Sequence, residues 1–496
     1  MIYVHSLGRA ARYFPDRTAL AANGTCSTFR ELHDRVRRVA ATLRKHGFKG
    51  GDRLAILLPN EPDYIELVYA CAWLGVTAVP LNTRLAVKEI GGILTDAQPR
   101  GLVRHSSLPV PTVQVSWQLV LDQEPLNPQS DSVPDPIYDP QAILALIYTS
   151  GTTGRPKGVE MRHANILENV YHTNFWFPLE EGAVHLHAAP IFHIADFPFM
   201  FAAPAFGATQ VSVPKFNPQS FCEIVHRERV THTVLVPTMI NILTQFPDLK
   251  NYDLTSLKHL GYGGSPMAPE LVHRTRQVLP NVKLVQVYGL SEAGFLTGLL
   301  DHEHTEDKLT SCGRPCLGID VRVVDQSWKE VETGQTGELV ARGANIMRSY
   351  WNKPEETKLA FRNGFFRTGD IGYQDANGYF YILDRLKDMI VTGGENVYSG
   401  EVEAVIYTHP AVREVAVFGI PDPKWGELVM ACVVLKPGKT LSADELIAYC
   451  RRSLANYKVP RRVEFSDTEL PKSGSGKILK KVLRERFWIH QEHAVS

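Results

Sequence analysis

A loop of hydroxyl groups and glycines follows a buried apolar run and ends in a lysine. Residues Ile143 to Tyr148 form a continuous apolar run that is typical of an interior strand. The loop after it favours phosphate binding, because glycines let backbone N–H groups approach an anion, hydroxyl groups add donors and Lys157 adds a positive charge. It is not a Walker A sequence, and a plain surface turn is the alternative interpretation. We expect the phosphate contacts to come from Thr149, Ser150, Gly151, Thr152, Thr153, Gly154 and Lys157.

A second segment brings a carboxylate to the end of a strand. Leu284 to Val287 predicts a strand that delivers the sequence YGLSE, Tyr288 to Glu292. This sequence offers an aromatic ring, a glycine that permits close approach, the Ser291 hydroxyl and a carboxylate. Proteins bind Mg2+ through one or two carboxylates together with phosphate oxygens, so Glu292 suits this ion. An ordinary exposed glutamate is the alternative interpretation.

Three further segments have weaker signals of their own. The glycines between Gly261 and Gly264 leave room for a flat ring, although close glycines mark tight turns more often. Asp370 ends a predicted Thr-Gly-Asp turn, where a fixed carboxylate can accept hydrogen bonds from both hydroxyls of a ribose. Pro471 to Lys481, PKSGSGKILKK, has the composition of a flexible linker. We expect its outer lysines to be solvated: Lys472, Lys480 and Lys481.

The elements that position these segments follow a βαβ rhythm. Thr28 to Gly47 predicts an amphipathic helix, Asp52 to Leu58 a buried strand, Glu61 to Leu74 a helix and Val76 to Pro80 a second strand. Repeats of this kind predict parallel sheets covered by helices, with ligands outside the carboxyl ends of the strands. We therefore expect an α/β fold with a large N-terminal domain of parallel or mixed sheets packed with helices.

Composition excludes several other classes of protein. A chain of 496 residues predicts at least two domains, and equal numbers of basic and acidic residues, 53 each, give no net field towards nucleic acid or an anionic membrane. Seven cysteines without framework spacing indicate reduced thiols and a cytoplasmic location. Cys312 and Cys316, with two histidines upstream, lack the spacing of a standard zinc site. The N-terminal stretch lacks a signal-peptide core, and prolines and charges interrupt the most apolar window, His187 to Ala208, so we expect no membrane span.

The segment YTSGTTGRPKG, Tyr148 to Gly158, closely resembles the signature loop of the adenylate-forming superfamily, which includes acyl-CoA synthetases, luciferases and the adenylation domains of peptide synthetases. At least five motifs occur in the family's order, and the family's usual threonine is Ser291 here. The resemblance implies that the loop binds ATP and that Glu292 holds Mg2+. It implies nucleotide contacts from Gly263, Gly264, Ser265, Tyr288, Gly289, Ser291, Asp370, Arg385 and Lys477.

The resemblance also implies a division of the chain and two further pockets. It places a hinge at Lys387 between an N-terminal domain, 1–386, and a small mobile α+β lid domain, 387–496. His193 and Gly289 are expected to border the carboxylic acid, and the Phe197 to Phe201 segment is a candidate acyl lining, although core packing is the alternative for most of its residues. A loop of Gly393, Gly394 and Glu395 is expected to contact coenzyme A.

The implied reaction is ATP-dependent ligation of a carboxylic acid to coenzyme A through an acyl-adenylate, with AMP and pyrophosphate as products. Lys477, Glu292, Ser291 and Arg385 are the expected catalytic residues, and a medium- or long-chain fatty acid is the expected substrate. An aryl acid, transfer to a carrier protein instead of coenzyme A, and a catalytically silent binding homologue remain as alternatives. A homodimer is one option for the assembly.

Replacing Lys477 with Ala tests the implied division of labour. The resemblance places this lysine at the nucleotide in the first half-reaction only, so K477A is expected to abolish acyl-adenylate formation. Thioester formation from a supplied acyl-adenylate should be largely retained. Single-turnover assays of the two half-reactions measure this difference, and equal loss of both steps would refute it.

Overall fold

The computed structural model describes residues 1–22, 24–112, 114–124, 126, 135–149, 156–472 and 478–488. The chain forms two compact units. Unit 1 consists of Met1–Val321 and Ala341–Phe366, and unit 2 consists of Arg322–Val340 and Arg367–Ser496. Among the described helices, none has the length and apolar character needed to cross a membrane. The expected division at Lys387 stays a prediction.

The helices are numbered here in chain order. They are α1 (Ile2–His5), α2 (Leu7–Tyr13), α3 (Phe29–Lys45), α4 (Pro62–Leu74), α5 (Val87–Ala97), α6 (His163–Trp176), α7 (Phe199–Ala205), α8 (Pro218–Glu228), α9 (Pro237–Thr244), α10 (Pro269–Val278), α11 (Pro354–Ala360), α12 (Ser399–Tyr407), α13 (Ala443–Cys450) and α14 (Lys480–Trp488). Two short 3-10 turns add Pro247–Asn251 and Asp301–Glu303.

The strands are numbered in the same way. They are β1 (Thr18–Ala22), β2 (Thr25–Thr28), β3 (Arg53–Leu57), β4 (Thr77–Pro80), β5 (Gly101–Arg104), β6 (Trp117–Val120), β7 (Ile143–Thr149), β8 (Lys157–Arg162), β9 (Val184–His187), β10 (Thr209–Ser212), β11 (His232–Leu235), β12 (His259–Gly263), β13 (Lys283–Leu290), β14 (Gly294–Leu299), β15 (Arg314–Pro315), β16 (Asp320–Val324), β17 (Gly337–Arg342), β18 (Phe361–Arg362), β19 (Phe365–Gln374), β20 (Phe380–Arg385), β21 (Ile390–Thr392), β22 (Glu395–Val397), β23 (Val412–Asp422), β24 (Gly426–Leu435) and β25 (Arg462–Phe465).

Local sequence explains the early elements. Helix α3 begins after Thr28, whose hydroxyl accepts the Glu31 backbone N–H while the Glu31 carboxylate accepts the Thr28 backbone N–H, which is a capping box. The apolar face of α3 is buried and its charged face is exposed, as the spacing predicts. Helix α4 ends at Gly75, which takes a left-handed conformation with φ of 67°. The predicted βαβ order of β3, α4 and β4 is confirmed.

Unit 1 contains two large sheets with mostly parallel pairing. One has nine strands in the order β15-β14-β13-β12-β11-β9-β10-β1-β2, and the other has six in the order β6-β5-β3-β4-β7-β8. Helices α8, α9 and α10 pack their apolar faces onto β11 and β12. Strands β12 and β13 are parallel, so their carboxyl ends lie at one edge of the sheet. This edge presents the predicted adenine and magnesium segments.

Unit 2 contains a sheet in the order β22-β21-β24-β23, with β25 paired to β24, and helices α12 and α13 cover an apolar core beside it. A further sheet has the order β16-β17-β19-β18, with β20 paired to β19. The expected coenzyme A loop is the turn of a hairpin, because β21 and β22 pair on either side of Gly393 and Gly394. The predicted class, α/β with large sheets and a small C-terminal α+β part, is confirmed.

Three buried histidines of unit 1 are held without charge. Burial lowers the pKa of His163 to about 3, of His185 to about 4 and of His232 to about 3. The Ile2 backbone N–H donates to His163 Nδ1 at 3.3 Å, so protonation of this nitrogen would remove an acceptor. His232 stacks on His259 with ring centres 4.6 Å apart, and a positive charge there would face a second imidazole.

We expect these histidines to make unit 1 sensitive to acid. Their pKa values are lower in the folded state than the ordinary 6.5, so the unfolded state binds more protons below pH 6.5, and stability that is complete above that pH is lost as the pH falls towards 4. Between pH 7.5 and 5.0 the free energy of unfolding should fall by roughly 2 kcal/mol for each histidine. Thermal melts across this range measure the slope. H163Q should reduce the slope, and the exposed control H302Q should leave it unchanged; equal slopes in both variants would contradict the assignment.

Candidate active site

The phosphate loop predicted from the sequence connects two antiparallel strands. Strands β7 and β8 pair so that Thr149 and Lys157 are direct cross-strand partners. Both residues are half-buried. The predicted contacts Ser150, Gly151, Thr152, Thr153 and Gly154 lie outside the described residues. The two ends of the loop are therefore fixed next to each other by the strand pairing.

A hydrogen-bond network holds the start of this loop. The Tyr148 hydroxyl donates to Asp96 Oδ2 at 2.7 Å, and Lys353 Nζ lies 3.0 Å from Asp96 Oδ1. The Trp351 indole N–H donates to the Asp96 carbonyl at 3.3 Å. Burial, with the adjacent Asp96 carboxylate, raises the pKa of Tyr148, so its hydroxyl remains a donor. Residues far away in the sequence thus fix the Tyr148 side chain in the strand that leads into the loop.

Glu292 lies in the turn between β13 and β14. Strand β13 is longer than predicted and includes Tyr288 and Gly289, because β14 pairs with it through Gly294. A Cβ atom at Gly289 would lie 1.8 Å from the Gly294 carbonyl oxygen, so only glycine fits this close approach. The half-buried Ser291 and Glu292 follow directly after the strand. The predicted carboxylate therefore stands at the sheet edge, as expected, in the turn of a hairpin that the sequence did not predict.

Tyr350 contacts both Glu292 and Lys157. Its hydroxyl donates to Glu292 Oε1 at 2.8 Å, and Lys157 Nζ lies 5.1 Å from the centre of its ring. The Met347 backbone N–H donates to the Glu292 carbonyl at 2.7 Å. The cation of the phosphate loop and the predicted magnesium ligand are thereby brought to one side chain.

The predicted adenine turn stands at the same sheet edge. Gly263 ends β12 and is the register partner of Val287 in β13. A Cβ atom at Gly263 would lie 2.2 Å from the Val287 carbonyl oxygen, and Gly264 has φ of 80°. Because the strands are parallel, the turn through Gly264 and Ser265 leaves the sheet beside Tyr288. The close approach at Gly263 is to the neighbouring strand, and the contact of this turn with adenine stays a prediction.

His193 lies half-buried in the turn between β9 and α7. Its carbonyl accepts the Asp196 and Phe197 backbone N–H groups, each at 3.0 Å, and its Nδ1 accepts the Ala195 N–H at 3.2 Å. The Asn60 amide donates to the His187 carbonyl at 3.1 Å. The turn is thus anchored by its own backbone and by a second chain segment, which gives His193 a defined position.

A buried His-Asp-His cluster supports this turn. Asp196 accepts hydrogen bonds from His185 Nε2 at 3.2 Å and His187 Nδ1 at 2.8 Å, and His187 Nε2 lies 3.0 Å from Gln210 Oε1. The possible ligand atoms of His185, His187 and Asp196 lie within 4.8 Å of one another, so this set has the donors for a metal ion. The carboxylate is satisfied by the two imidazoles, whereas His185 Nδ1 and Gln210 Nε2 have no hydrogen-bond partner within the described residues.

Unit 2 brings together Asp370 and Arg385. The predicted Thr-Gly-Asp turn does not end the strand: Asp370 lies within β19 and is the register partner of Arg385 in β20, whose pairing keeps it there. A local bend remains inside the strand, because Gly369 has a left-handed φ of 69° and the Thr368 hydroxyl accepts the Asp370 N–H at 3.0 Å. Arg385 Nε lies 3.0 Å from Asp370 Oδ1. The predicted ribose carboxylate is buried and already faces a guanidinium group.

The remaining predicted residues of unit 2 are exposed or lie outside the described residues. Lys387 is exposed, its carbonyl accepts a hydrogen bond from Arg484 Nη1 at 3.3 Å, and its role as a hinge stays a prediction. The hairpin turn predicted to contact coenzyme A, Gly393 to Glu395, is exposed. Lys477 lies outside the described residues.

The prediction that Lys480 is solvated is wrong. Its ammonium group lies 2.8 Å from Glu403 Oε1 and donates to the Ser399 hydroxyl at 2.5 Å. Lys472 likewise pairs with Glu414 at 2.7 Å, and Lys481 lies 3.7 Å from Glu485. The carboxylate partners of Lys480 and Lys472 lie on other elements, α12 and β23, whereas Glu485 lies on the same helix as Lys481, which is exposed as predicted. Residues on both sides of the segment that carries Lys477 are therefore paired.

Several positioning residues are missed by sequence reasoning. Tyr350 and Asp96 carry no motif of their own, since their partners lie 58 and 52 positions away. The alternation His185-Leu186-His187 on β9 is the one available signal, because residues two apart on a strand share a face.

Comparison with known proteins decides the family. The profile of the AMP-binding enzyme family matches residues 7–351, and that of the AMP-binding enzyme C-terminal domain matches residues 401–477. The chain belongs to the AMP-binding enzyme family. The resemblance to the adenylate-forming superfamily is thereby confirmed, and the protein is an AMP-forming acid–thiol ligase that uses ATP and Mg2+.

Three relatives extend over nearly the whole chain. A feruloyl-CoA synthase of Amycolatopsis sp is 40% identical over 97% of this chain and 98% of its own length. A long-chain-fatty-acid–CoA ligase of Mycobacterium tuberculosis is 36% identical over 93% of each chain. The structure of o-succinylbenzoate coenzyme A synthetase from Bacillus subtilis, in complex with ATP and magnesium ion, has a TM-score of 0.86 at 32% identity and covers 96% of this chain and 98% of that one.

Asp370 pairs with Arg385, and we expect its carboxylate also to bind the ribose of the nucleotide. D370N keeps the shape of the side chain but removes its charge, so the KM for ATP should rise about tenfold while the KM for the acid changes little. Steady-state kinetics with each substrate varied in turn measure this.

E338Q is the matched control, because Glu338 pairs with Arg367 at 2.7 Å on a neighbouring strand. It should lower the melting temperature without raising the KM for ATP. A KM for ATP that rises equally in both variants would contradict a specific role for Asp370.

Proposed function

We propose that the protein activates a compact carboxylic acid, with an aryl acid as the first candidate, through an acyl-adenylate and transfers it to coenzyme A. One observation supports the activation step: Lys157 contacts the ring of Tyr350, and Glu292 accepts a hydrogen bond from its hydroxyl. An ammonium group and a carboxylate placed in this way serve a phosphate and its metal ion.

In the first step a carboxylate oxygen of the acid attacks the α-phosphorus of ATP. The bond between that phosphorus and the bridging oxygen breaks, and pyrophosphate leaves with the electron pair. Negative charge develops on phosphate oxygens, so the enzyme acts mainly by alignment and charge stabilisation. In this proposal Lys157 and Arg385 supply positive charge, Asp370 holds the ribose, Tyr288 packs near the adenine, and Lys477 reaches the phosphates.

Glu292 fits a magnesium ion by the chemistry of its donors. One carboxylate oxygen accepts the Tyr350 hydroxyl, and within the described part of the chain no side chain or backbone donor occupies the other. A hard oxygen donor of this kind suits Mg2+, which would neutralise charge on the phosphates when bound. Tyr350 would orient the carboxylate for that purpose.

In the second step the sulfur of coenzyme A attacks the acyl carbonyl carbon, and AMP leaves. The thiol has a reference pKa near 8.5, so a useful thiolate fraction exists near neutrality and no strong general base is required. The exposed hairpin turn at Gly393, Gly394 and Glu395 is the proposed contact for the cofactor's pantetheine arm. Transfer to a carrier protein is the second candidate acceptor.

The phenylalanines that follow His193 in the chain do not support a long acyl tunnel. Phe197, Phe199 and Phe201 are each fully buried, as core packing requires. The Phe199 ring stacks on His185 with centres 4.2 Å apart, and Phe197 meets Phe201 at 5.7 Å. The sequence makes this segment a candidate acyl lining, with core packing as the alternative for most of its residues. Their packing, with the name of the 40% identical relative, supports an aryl acid first.

A fatty acid remains the second candidate, and the long-chain-fatty-acid–CoA ligase at 36% identity supports it. A cytoplasmic location is consistent with seven cysteines that are all free thiols, six of them buried. A homodimer stays a prediction.

An acid panel tests the proposed function. Pyrophosphate release from ATP is measured with ferulic acid, benzoic acid and a long-chain fatty acid, with and without coenzyme A, and the thioester is identified by mass spectrometry. We expect the highest kcat/KM with an aryl acid and a coenzyme A adduct of that acid. A kcat/KM for the long-chain acid that is tenfold or more above that of the aryl acids would overturn the aryl assignment. AMP release without any coenzyme A adduct would overturn coenzyme A as acceptor.

A further inference from the structure

Tyr350 lies in a segment that is bonded to both chemistry-bearing parts of unit 1. We define the Asn345–Lys353 segment as the brace. Its Asn345 amide donates to the Ala293 carbonyl at 2.8 Å and the Phe295 carbonyl at 3.0 Å, next to Glu292. The Met347 backbone N–H donates to the backbone carbonyl of Glu292. The first half of the brace is thus fixed to the β13–β14 turn.

The second half of the brace is fixed to β8, the strand that begins with Lys157. Tyr350 forms a β-bridge with Val159, and the Trp351 N–H donates to the Gly158 carbonyl at 2.7 Å. The Ser349 hydroxyl donates to the Glu160 carboxylate at 2.6 Å. The backbone of Tyr350 therefore has little freedom relative to either Lys157 or Glu292.

The Tyr350 side chain keeps these two charges near each other without letting them pair. Within the described residues neither Lys157 nor Glu292 forms an ion pair closer than 4.0 Å, and each instead contacts Tyr350. An ammonium group that is not neutralised can bind phosphate, and a carboxylate with one oxygen held can bind a metal ion with the other.

We infer that Tyr350 is a positioning residue of the phosphate and metal site, acting through Glu292 by its hydroxyl and through Lys157 by its ring. This inference rests on the proposed roles of Glu292 and Lys157. It assigns separate tasks to two parts of one side chain, and substitution can separate them.

Y350F removes the hydroxyl and keeps the ring. Loss of the hydrogen bond that orients a metal ligand should raise the Mg2+ concentration for half-maximal pyrophosphate release about tenfold, with a smaller change in the KM for ATP at saturating Mg2+. Y350L also removes the ring, so the KM for ATP should rise severalfold above that of Y350F. Mg2+ titrations at fixed ATP, and ATP titrations at fixed Mg2+, measure the two effects.

Y64F is the matched control, because Tyr64 is fully buried and its hydroxyl has no hydrogen-bond partner in the described part of the chain. It should leave the Mg2+ requirement unchanged. A double-mutant cycle with E292Q adds a second readout: the Y350F effect on Mg2+ should vanish in the E292Q background.

If the wild-type protein forms no acyl-adenylate with any acid, the proposed function itself is contradicted. Active wild type with an unchanged Mg2+ requirement in Y350F, or effects of Y350F and E292Q that simply add, would overturn the inference alone. A KM for ATP that is equal in Y350L and Y350F would overturn the role of the ring.

Discussion

A site that binds magnesium and a triphosphate must hold an ammonium group and a carboxylate close together, although the two attract each other. Direct pairing of Lys157 with Glu292 would satisfy both and leave neither for a ligand. In this protein Tyr350 contacts the two groups through different parts of its side chain. The sheet edge, the β7–β8 hairpin and the brace all serve to keep that aromatic ring in one place.

Much of the fold was predictable because it depends on local pattern. The capping box at Thr28, the apolar face of α3 and the buried runs of β3 and β7 are each decided within a few residues. The sheet-edge location of Glu292 followed from the rule for parallel strands. These predictions needed no knowledge of which strands pair.

The wrong predictions have a different cause. They concern residues whose partners lie outside the local sequence pattern. Asp370 was assigned to a turn because Thr-Gly-Asp is a turn sequence, but pairing with β20 keeps it in a strand. Lys480 was assigned to solvent, but Glu403 and Ser399 on α12 surround its ammonium group. Burying a carboxylate without a cation would lower the stability of the fold, so each charged group of the pair stabilises the other. Neither Asp370 with Arg385 nor Lys480 with Glu403 falls within the few neighbouring residues that decide a local pattern.

The order of the chain has a consequence for how the site matures during synthesis on the ribosome. Asp96, Lys157 and Glu292 emerge in that sequence, and the brace at Asn345–Lys353 follows them all. A nascent chain that ends before Tyr350 can pair β7 with β8 but leaves Glu292 without its aromatic partner. Contacts over such separations form late because loop closure must come first. The proposed phosphate and metal groups of unit 1, Lys157 and Glu292, are therefore held together only after most of unit 1 has been made.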